Sequence, residues 1–272
     1  MNHMQNLHTH TTYVDGCDTP KEMIEAAVEQ GFDSLGFSEH TYLKYSTFPH
    51  QLTPEKAEQY KHEISDLKSK YKEQIDVFCG LELDYYSDVD TESYDYLIGS
   101  VHYLDCDGDI VTFDRDLVAT QKLIDTRFGG DALKFAKKYF ETLARYPEKY
   151  SVDIIGHFDL ITKNNDAGKF LDTQSKAYLD LGYAAIDALC GKIPFFEVNT
   201  GAISRGYKQT PYPQKQFLTE LKRRGFGAVI TSDCHNKQHL SCGFADAELI
   251  LREAGFVSKW ILTNEGFKEI SL

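Results

Sequence analysis

The chain has 272 residues, with 42 acidic side chains against 29 lysines and arginines, which gives a formal net charge of −13. Its hydrophobic content of 42%, together with 17 tyrosines and 17 phenylalanines, excludes a disordered chain and indicates a substantial core. The acidic balance disfavours a nucleic-acid coat protein and an anionic membrane surface as partners, because both attract clustered lysine and arginine. A small anionic substrate remains compatible, because bound cations reverse the sign of a local field.

The first half of the chain alternates short apolar runs with longer helical patterns. Thr19-Pro20-Lys21-Glu22 forms a capping box with proline at the first helical position, which predicts the start of a helix. Residues 105–130 are rich in Asp and Gly and show only weak periodicity. The predicted elements are a strand at 5–8, a helix ending at Gly31, a strand at Ser34–Ser38, a helix from Pro54 to about Glu73, and strands at Ile75–Leu83 and Tyr96–Leu104.

The second half continues the alternation. The predicted elements are a helix near 131–146, a strand at Val152–Ile161, a helix near 173–190, a strand at Pro194–Asn199, a helix near 213–224, a strand at Ala228–Thr231, a helix near 244–254 and a strand at Lys259–Leu262. Such alternation predicts an α/β fold with a parallel sheet, and about seven units favour a barrel over a doubly wound sheet. No linker divides the sequence, so we expect one domain over residues 1–272.

Three further patterns bear on cofactor binding and location. No Gly-x-Gly-x-x-Gly follows the first strand, so a dinucleotide-binding fold is disfavoured. No apolar run approaches the length of a membrane span, and the N-terminal residues lack the pattern of a signal peptide. The six cysteines contain no Cys-x-x-Cys motif. We therefore expect a reduced, cytoplasmic protein without a membrane partner.

Metal-type side chains fall at the ends of the predicted strands. Six of the ten histidines lie there: His8, His10, His40, His102, His157 and His235. A charged carboxylate, Glu82, stands in the apolar run 79–83 and needs a partner, and Asp233 precedes His235 by two residues. For any single histidine a hydrogen-bonded core role is the ordinary alternative. Because barrel sites are built at the carboxyl ends of the strands, the joint placement predicts a metal site.

Three acidic residues near these histidines are open to more than one interpretation. Asp15 precedes Gly16, and an Asp-Gly turn is the ordinary explanation for such a pair. Glu39 and Asp159 flank predicted ligands, which predicts that they orient ligands rather than bind metal.

Several short segments resemble, in the right order, the motifs of the polymerase-and-histidinol-phosphatase (PHP) superfamily. They are His8-Thr9-His10-Thr11-Thr12-Tyr13-Val14-Asp15-Gly16, Phe37-Ser38-Glu39-His40, Gly99-Ser100-Val101-His102, Gly156-His157-Phe158-Asp159 and Ser232-Asp233-Cys234-His235. The segments around Glu82 and His102 look most like the stand-alone histidinol-phosphatase branch. The resemblance covers nearly the whole chain. It implies a distorted (β/α)7 TIM-like barrel with three divalent metal ions, Zn, Mn or Fe, at the C-terminal ends of the strands.

The resemblance also implies how the ligands are shared. One ion would take His8, His10, Glu82 and Asp233, a second would take Glu82, His102 and His157, and a third would take Asp15, His40 and His235. Some relatives carry His where Asp15 stands, and the added carboxylate favours manganese or iron over zinc. The family's second motif often reads Ser-Asp-His, whereas this chain has Ser38-Glu39-His40.

The activity implied is hydrolysis of L-histidinol phosphate in histidine biosynthesis, by attack of a hydroxide that bridges two ions. Asp15, Glu82 and Asp233 would be the catalytic residues, and Asp15 or a metal-bound water could supply the proton to the leaving group.

The phosphate of the substrate calls for cationic side chains near the strand ends. Arg205 is the best candidate, followed by Lys163 and Lys208. For each lysine, a solvated loop charge is an equal alternative. Members of the branch often carry Arg where this chain has Thr162, which weakens the expected second phosphate contact.

Two other functions fit the same ligand set. One is a PHP phosphoesterase that acts on nucleotides or phosphotyrosine, and the other is a non-catalytic regulatory protein that binds metal.

The acidic stretch at 105–116 could attract the amine and imidazole of histidinol, although a solvated loop is the more common reason for such a run.

Overall fold

Seven parallel strands form the centre of the protein. The computed structural model describes residues 3–46, 48, 51–165 and 168–272. The strands of this sheet are β1 (Gln5–Asn6), β2 (Ser34–His40), β3 (Asp76–Asp84), β4 (Tyr96–Ser100), β7 (Ile154–Ile155), β8 (Phe195–Asn199) and β9 (Gly227–Thr231). Two hairpins lie outside it, β5 (Tyr103–Cys106) with β6 (Asp109–Thr112), and β10 (Ser258–Thr263) with β11 (Gly266–Ser271). The helices are α1 (Pro20–Glu29), α2 (Pro54–Tyr71), α3 (Leu117–Arg127), α4 (Ala132–Ala144), α5 (Tyr146–Lys149), α6 (Lys176–Leu189), α7 (Gly201–Ser204), α8 (Lys215–Arg223) and α9 (Phe244–Glu253).

The parallel sheet has the order β1-β2-β3-β4-β7-β8-β9 and returns almost to its first strand. Just beyond β1 and β9, Thr9 forms a parallel bridge with Cys234. The Cys234 carbonyl accepts from the His10 N–H at 2.9 Å, and the His8 carbonyl accepts from the Cys234 N–H at 3.3 Å. The sheet is therefore a nearly closed seven-stranded barrel with helices outside it, which confirms the predicted fold class.

Two predicted strands are shorter than expected because side chains take their backbone groups. The strand predicted at Tyr96–Leu104 ends at Ser100, and the His102 N–H donates to the Asp84 carboxylate at 2.8 Å. Residues 103–106 then pair antiparallel with β6, outside the barrel. The strand predicted at Val152–Ile161 is only β7, because the His157 N–H donates to the Glu197 carboxylate at 2.6 Å and a 3-10 turn follows at Leu160–Thr162.

Two other regions depart from the sequence pattern. The stretch 105–130, which showed weak periodicity, contains β6 and helix α3, and α3 is capped by the Asp116 carboxylate bonded to the Ala119 N–H at 2.8 Å. The strand predicted at Lys259–Leu262 exists as β10, but it pairs antiparallel with β11 rather than joining the parallel sheet. The Leu262 backbone bonds the Gln5 amide in both directions, at 2.8 Å each, so this hairpin packs at the amino end of the barrel.

The amino half of the barrel interior is apolar and closely packed. A buried cluster fills it: Leu7, Phe78, Tyr96, Ile98, Ile154, Phe195, Val229 and Leu262. The Tyr96 hydroxyl donates to the Leu7 and Phe37 carbonyls at 2.5 and 3.0 Å. Gly80 is required beside this ring, because a Cβ there would lie 2.4 Å from a Tyr96 ring carbon. Below the polar carboxyl end, the interior of the barrel is therefore filled by side chains rather than open as a channel.

The described part of the chain contains no helix that combines the length and apolar character needed to cross a membrane. Its six cysteines are free thiols in the structure.

Candidate metal centre

All nine side chains predicted as ligands meet at the carboxyl end of the barrel. They come from the residues after β1 (His8, His10 and Asp15), from β2 (His40) and β3 (Glu82), and from the residues after β4 (His102), β7 (His157) and β9 (Asp233 and His235). Parallel strands bring their carboxyl ends to one edge, so residues more than 200 positions apart become neighbours.

Glu82 lies at the centre of this cluster, with its side chain almost fully buried. Its Oε1 lies 2.8 Å from His157 Nε2 and 3.3 Å from His102 Nε2. Its Oε2 lies 2.7 Å from His40 Nδ1 and 3.4 Å from His8 Nε2. Oε2 also lies 3.6 Å from His10 Nε2, so each oxygen faces a different set of imidazoles, as a bridging carboxylate needs.

Asp233 contacts both His8 and His10. Its Oδ1 lies 3.4 Å from His10 Nε2 and 3.8 Å from His8 Nε2. Its backbone has φ of 44°, in the left-handed region that a non-glycine residue seldom adopts. Strain of this kind persists where the surroundings fix a side chain in a required direction.

Asp15 contacts the third group of histidines. Its carboxylate oxygens lie 3.3 Å from His235 Nε2, 3.6 Å from His40 Nε2 and 3.8 Å from His10 Nδ1. Because three imidazoles surround it, Asp15 does more than form the turn with Gly16.

Three overlapping groups of these donors are compact enough to hold an ion, each with donor atoms within 4.8 Å of one another. They are His10, Asp15, His40 and His235; His8, His10 and Asp233; and His40, Glu82 and His102. The groups match the sets implied by the sequence in part. His10 joins the third set, the first set lacks Glu82, and the second has His40 in place of His157, which belongs to none of the three groups.

Buried polar atoms without partners test whether these residues fit a metal. Six such atoms belong to the cluster: His8 Nε2, His10 Nδ1, His10 Nε2, Asp15 Oδ1, Glu82 Oε2 and His157 Nδ1. Buried polar atoms are nearly always paired in proteins, so their concentration at one point indicates that another group belongs there. Imidazole nitrogens and carboxylate oxygens are suitable donors for zinc, manganese or iron, and the residues fit such ions.

The charges of the cluster shift the pKa values of its histidines in both directions. Burial opposes the charge of His8, His40 and His102, but neighbouring carboxylates raise the pKa of all three. Burial, with His235 and His40 nearby, lowers the pKa of His10 to about 3, so its ring is neutral at pH 7. Burial alone would raise the pKa of Glu82, but His40, His8 and His102 together hold it well below its usual range. Burial likewise opposes the charge of Asp15, but His40 and the hydrogen bond from His235 lower its pKa. An Asp15 held as carboxylate suits ligation better than proton donation.

The two acids expected to orient ligands bond to backbone instead. Glu39 Oε1 accepts from the Thr11 N–H and hydroxyl at 2.8 and 2.5 Å, which fixes the chain just after His10. Burial raises the pKa of Glu39 to about 8. Asp159 Oδ2 accepts from the Gln214 N–H at 3.0 Å. Each therefore supports a loop of the site, and neither forms a hydrogen bond with a ligand ring.

Two other carboxylates, which the sequence reasoning missed, do contact predicted ligands. Glu197 Oε2 accepts from His8 Nδ1 at 2.9 Å. Asp84 Oδ2 accepts from the His102 N–H and lies 3.5 Å from His102 Nδ1. The signal for Glu197 was present, because it is a charged residue inside the apolar strand β8, as Glu82 is inside β3.

The three cations predicted to bind substrate lie in different environments. Arg205 bonds Asp233 directly, with Nη2 at 2.9 Å from Oδ2 and Nη1 at 2.8 Å from the carbonyl. Lys163 pairs with Asp114 at 2.7 Å, which largely neutralises its charge. Lys208 donates to the Thr162 hydroxyl at 2.9 Å, and burial lowers its pKa. Arg205 is thus the cation in direct contact with the cluster.

A cavity of about 850 Å³ opens onto the cluster. Its lining includes the ligands Asp15, His40, Glu82 and His102 on one side. The rest of its lining includes Tyr45 and Tyr103, the carboxylates Asp84, Asp114 and Asp116, and the cation Arg115. A phosphate at the ligands would therefore leave the rest of a substrate beside carboxylates and aromatic rings.

Comparison with known proteins agrees with the fold and shows the family. The family model described as the PHP domain matches residues 6–201. The curated histidinol-phosphatase of Bacillus subtilis is 26% identical over 249 residues, which cover 84% of this chain and 92% of that protein.

Two solved structures share the fold. The HisK protein of Listeria monocytogenes superposes with a TM-score of 0.77 at 20% identity, covering 89% of this chain and 99% of that chain. The histidinol phosphate phosphatase of Lactococcus lactis, solved with zinc, L-histidinol and phosphate, superposes with a TM-score of 0.73 at 18% identity, covering 97% of this chain and 98% of that chain.

Proposed function

This chain belongs to the PHP domain family, and we propose that it is a metal-dependent phosphomonoesterase that hydrolyses L-histidinol phosphate to L-histidinol and phosphate. The observation that carries the proposal is the convergence of eight residues into three compact groups of nitrogen and oxygen donors, several of them buried without hydrogen-bond partners and four of them lining an open cavity. The Bacillus subtilis relative bears the name of this activity, and the Lactococcus lactis structure holds both of its products.

The proposed centre holds three divalent ions, Zn, Mn or Fe. His8, His10, Glu82 and Asp233 would hold the first, and Glu82, His102 and His157 the second. Asp15, His40 and His235 would hold the third. When bound, such ions supply a nucleophile derived from water at neutral pH and neutralise phosphate charge.

The chain's own cations would complete the phosphate site. Arg205 can donate two parallel hydrogen bonds to phosphate oxygens, and its contact with Asp233 places it at the edge of the cluster. Lys208 bonds Thr162, the position at which relatives of this branch often carry Arg, so its ammonium group lies near the expected second cation. Lys163 is the weaker candidate because Asp114 already pairs with it.

The alternative substrates are nucleotides and phosphotyrosine. The cavity wall favours histidinol phosphate over nucleotides, because Asp84 and Asp116 attract the ammonium and imidazole groups of histidinol and repel an added phosphate. The aromatic rings of Tyr45 and Tyr103 can pack against a flat imidazole.

The proposal also covers the extent of the domain and the location of the protein. We propose that the whole chain acts as one PHP-type domain, because Asp233 and His235 lie beyond residue 201 and yet contact the same cluster. A cytoplasmic location stays a prediction from the cysteine pattern, which cell fractionation would check.

The test is a substrate comparison on metal-loaded protein with the metal content measured on the same sample. We expect kcat/KM for L-histidinol phosphate to exceed that for AMP and phosphotyrosine. Asp233→Asn should lose metal and activity, whereas the exposed control Asp180→Asn should keep both. A preference for AMP or phosphotyrosine would replace the proposed substrate. Metal binding without hydrolysis of any of the three would favour the regulatory function.

A further inference from the structure

Glu197 is a fully buried carboxylate of β8 that accepts hydrogen bonds from four neighbours. Its Oε2 accepts from His8 Nδ1 at 2.9 Å and from the Thr231 hydroxyl at 2.7 Å. Its Oε1 accepts from the His157 N–H at 2.6 Å and from Asn199 Nδ2 at 2.8 Å. Both oxygens thus accept two hydrogen bonds each, which a side chain that only filled space would not need.

These hydrogen bonds reach three of the predicted ligands. Glu197 contacts His8 through its ring and His157 through its backbone, and Asn199 Nδ2 also lies 3.3 Å from Asp233 Oδ2. The three ligands follow three different strands of the barrel. One carboxylate therefore connects side chains assigned to two ion sites.

We propose that Glu197 is a positioning residue of the metal centre, which fixes His8 with Nε2 toward the ion and holds His157 and Asp233 in place around it. This inference rests on the metal centre of the proposed function.

The hydrogen bond at Nδ1 decides what the other ring nitrogen can do. With the Nδ1 proton donated to Glu197, the Nε2 lone pair of His8 is available as a metal ligand. His8 Nε2 is buried without a hydrogen-bond partner and lies 3.4 Å from Glu82 Oε2. A carboxylate partner also increases the basicity of the imidazole, which strengthens its bond to a cation.

If Glu197 had only a structural role, glutamine should replace it without loss of metal affinity. Burying a charge is costly, and a glutamine of the same shape could bond the backbone of His157 without that cost. Glutamine has only one acceptor oxygen, however, and its amide group cannot accept the protons from His8 and Thr231. An amide that donates to His8 Nδ1 would instead place the ring proton on Nε2, where it blocks ligation.

The experiment measures metal affinity by competition with a chelator, in the parent and in Glu197→Gln. We expect the substitution to weaken binding by about 10- to 100-fold, the usual loss when a carboxylate behind a ligating histidine is removed. Asp153→Asn is the matched control, because the Asp153 carboxylate accepts from the Leu97 N–H at 2.8 Å in the same barrel without touching a ligand. Its metal affinity should equal that of the parent.

A second variant separates charge from shape. Glu197→Asp keeps the carboxylate but is shorter, and it should bind metal with an affinity between those of the parent and Glu197→Gln. If Glu197→Gln binds as tightly as the parent, or more tightly than Glu197→Asp, shape is what matters and the proposal is wrong. Equal losses in Glu197→Gln and Asp153→Asn would also overturn it, because they indicate a general loss of stability.

A spectroscopic measurement on the parent keeps the inference testable if the variants fail to fold. In the zinc-loaded protein with 15N-labelled histidine, the His8 ring should be protonated at Nδ1 and bound through Nε2, with its signal assigned from His8→Gln. Binding through Nδ1 would exclude the inference. A parent protein that binds no metal would instead contradict the proposed function, so the two failures can be told apart.

Discussion

Arg205 donates to both the main-chain carbonyl and the carboxylate of Asp233, at 2.8 and 2.9 Å. The other carboxylate oxygen of Asp233 faces His10 and His8. Burial opposes the charge of Arg205, but Asp233 raises the pKa of the guanidinium, so it remains charged. A predicted metal ligand and a predicted phosphate ligand are thereby held in contact, so a phosphate bound by Arg205 would lie next to the proposed metal centre.

Arg205→Lys should impair substrate binding more than metal binding. A lysine keeps the charge but cannot form two parallel hydrogen bonds, and bonds to charged groups contribute about 1.5–3 kcal/mol each. We expect kcat/KM for histidinol phosphate to fall roughly 10- to 100-fold with the metal content unchanged. Arg127→Lys, which alters an exposed bond to Asp109, should behave like the parent. An unchanged kcat/KM in Arg205→Lys would remove Arg205 from the phosphate site.

Removal of divalent ions should abolish hydrolysis and lower the melting temperature. The cluster contains buried carboxylates and unpartnered imidazole atoms, which bound ions would stabilise. An ion present at 100 times its Kd stabilises the folded state by about 2.7 kcal/mol, and each kcal/mol raises Tm by about 2–4 °C in a chain of this size class. Calorimetry after chelation and after readdition of zinc or manganese would measure this. An unchanged Tm with full activity would rule out a metal requirement.

Asp116→Asn should affect discrimination between substrates. Asp116 lines the cavity and caps α3, and asparagine is an equally good cap, so the change removes charge while keeping the helix start. We expect KM for histidinol phosphate to rise about two- to five-fold, as for an exposed ion pair, with little change for phosphotyrosine. Steady-state kinetics with both substrates would show whether only the cationic one is affected. Equal changes for both would exclude a role in recognising the amine.

The stability of helix α8 should depend on pH through Glu220. The hydrogen bond from Arg223, together with Arg224 and against the effect of burial, holds the pKa of Glu220 at about 2, below its ordinary 4.5. A lowered acid pKa stabilises the fold above pH 4.5, and that contribution is lost as the pH falls toward 2. Glu220→Gln should therefore cost about 1 kcal/mol at pH 7 and less at pH 3. Urea unfolding of both proteins at the two pH values would test this, and a difference independent of pH would contradict it.

Much of the cluster of predicted ligands could be read from the sequence because of a topological rule. His8, His40, Glu82 and Asp233 were found from their places at the ends of apolar runs, and the parallel barrel brings those ends to one edge. The lengths of β4 and β7 could not be predicted, because the side chains that take their backbone hydrogen bonds come from distant strands.

The sequence by itself determined the alternation of strands and helices, the barrel that follows from it, and the residue types at its carboxyl edge. Only the tertiary structure decided which side chains face one another there. Glu197 lies 189 positions from His8, and Lys163 is paired with Asp114 rather than free for phosphate. The physical reason is that periodicity fixes which face a residue occupies, whereas a hydrogen bond needs two atoms within about 3 Å, a distance set only when the strands and loops are packed together.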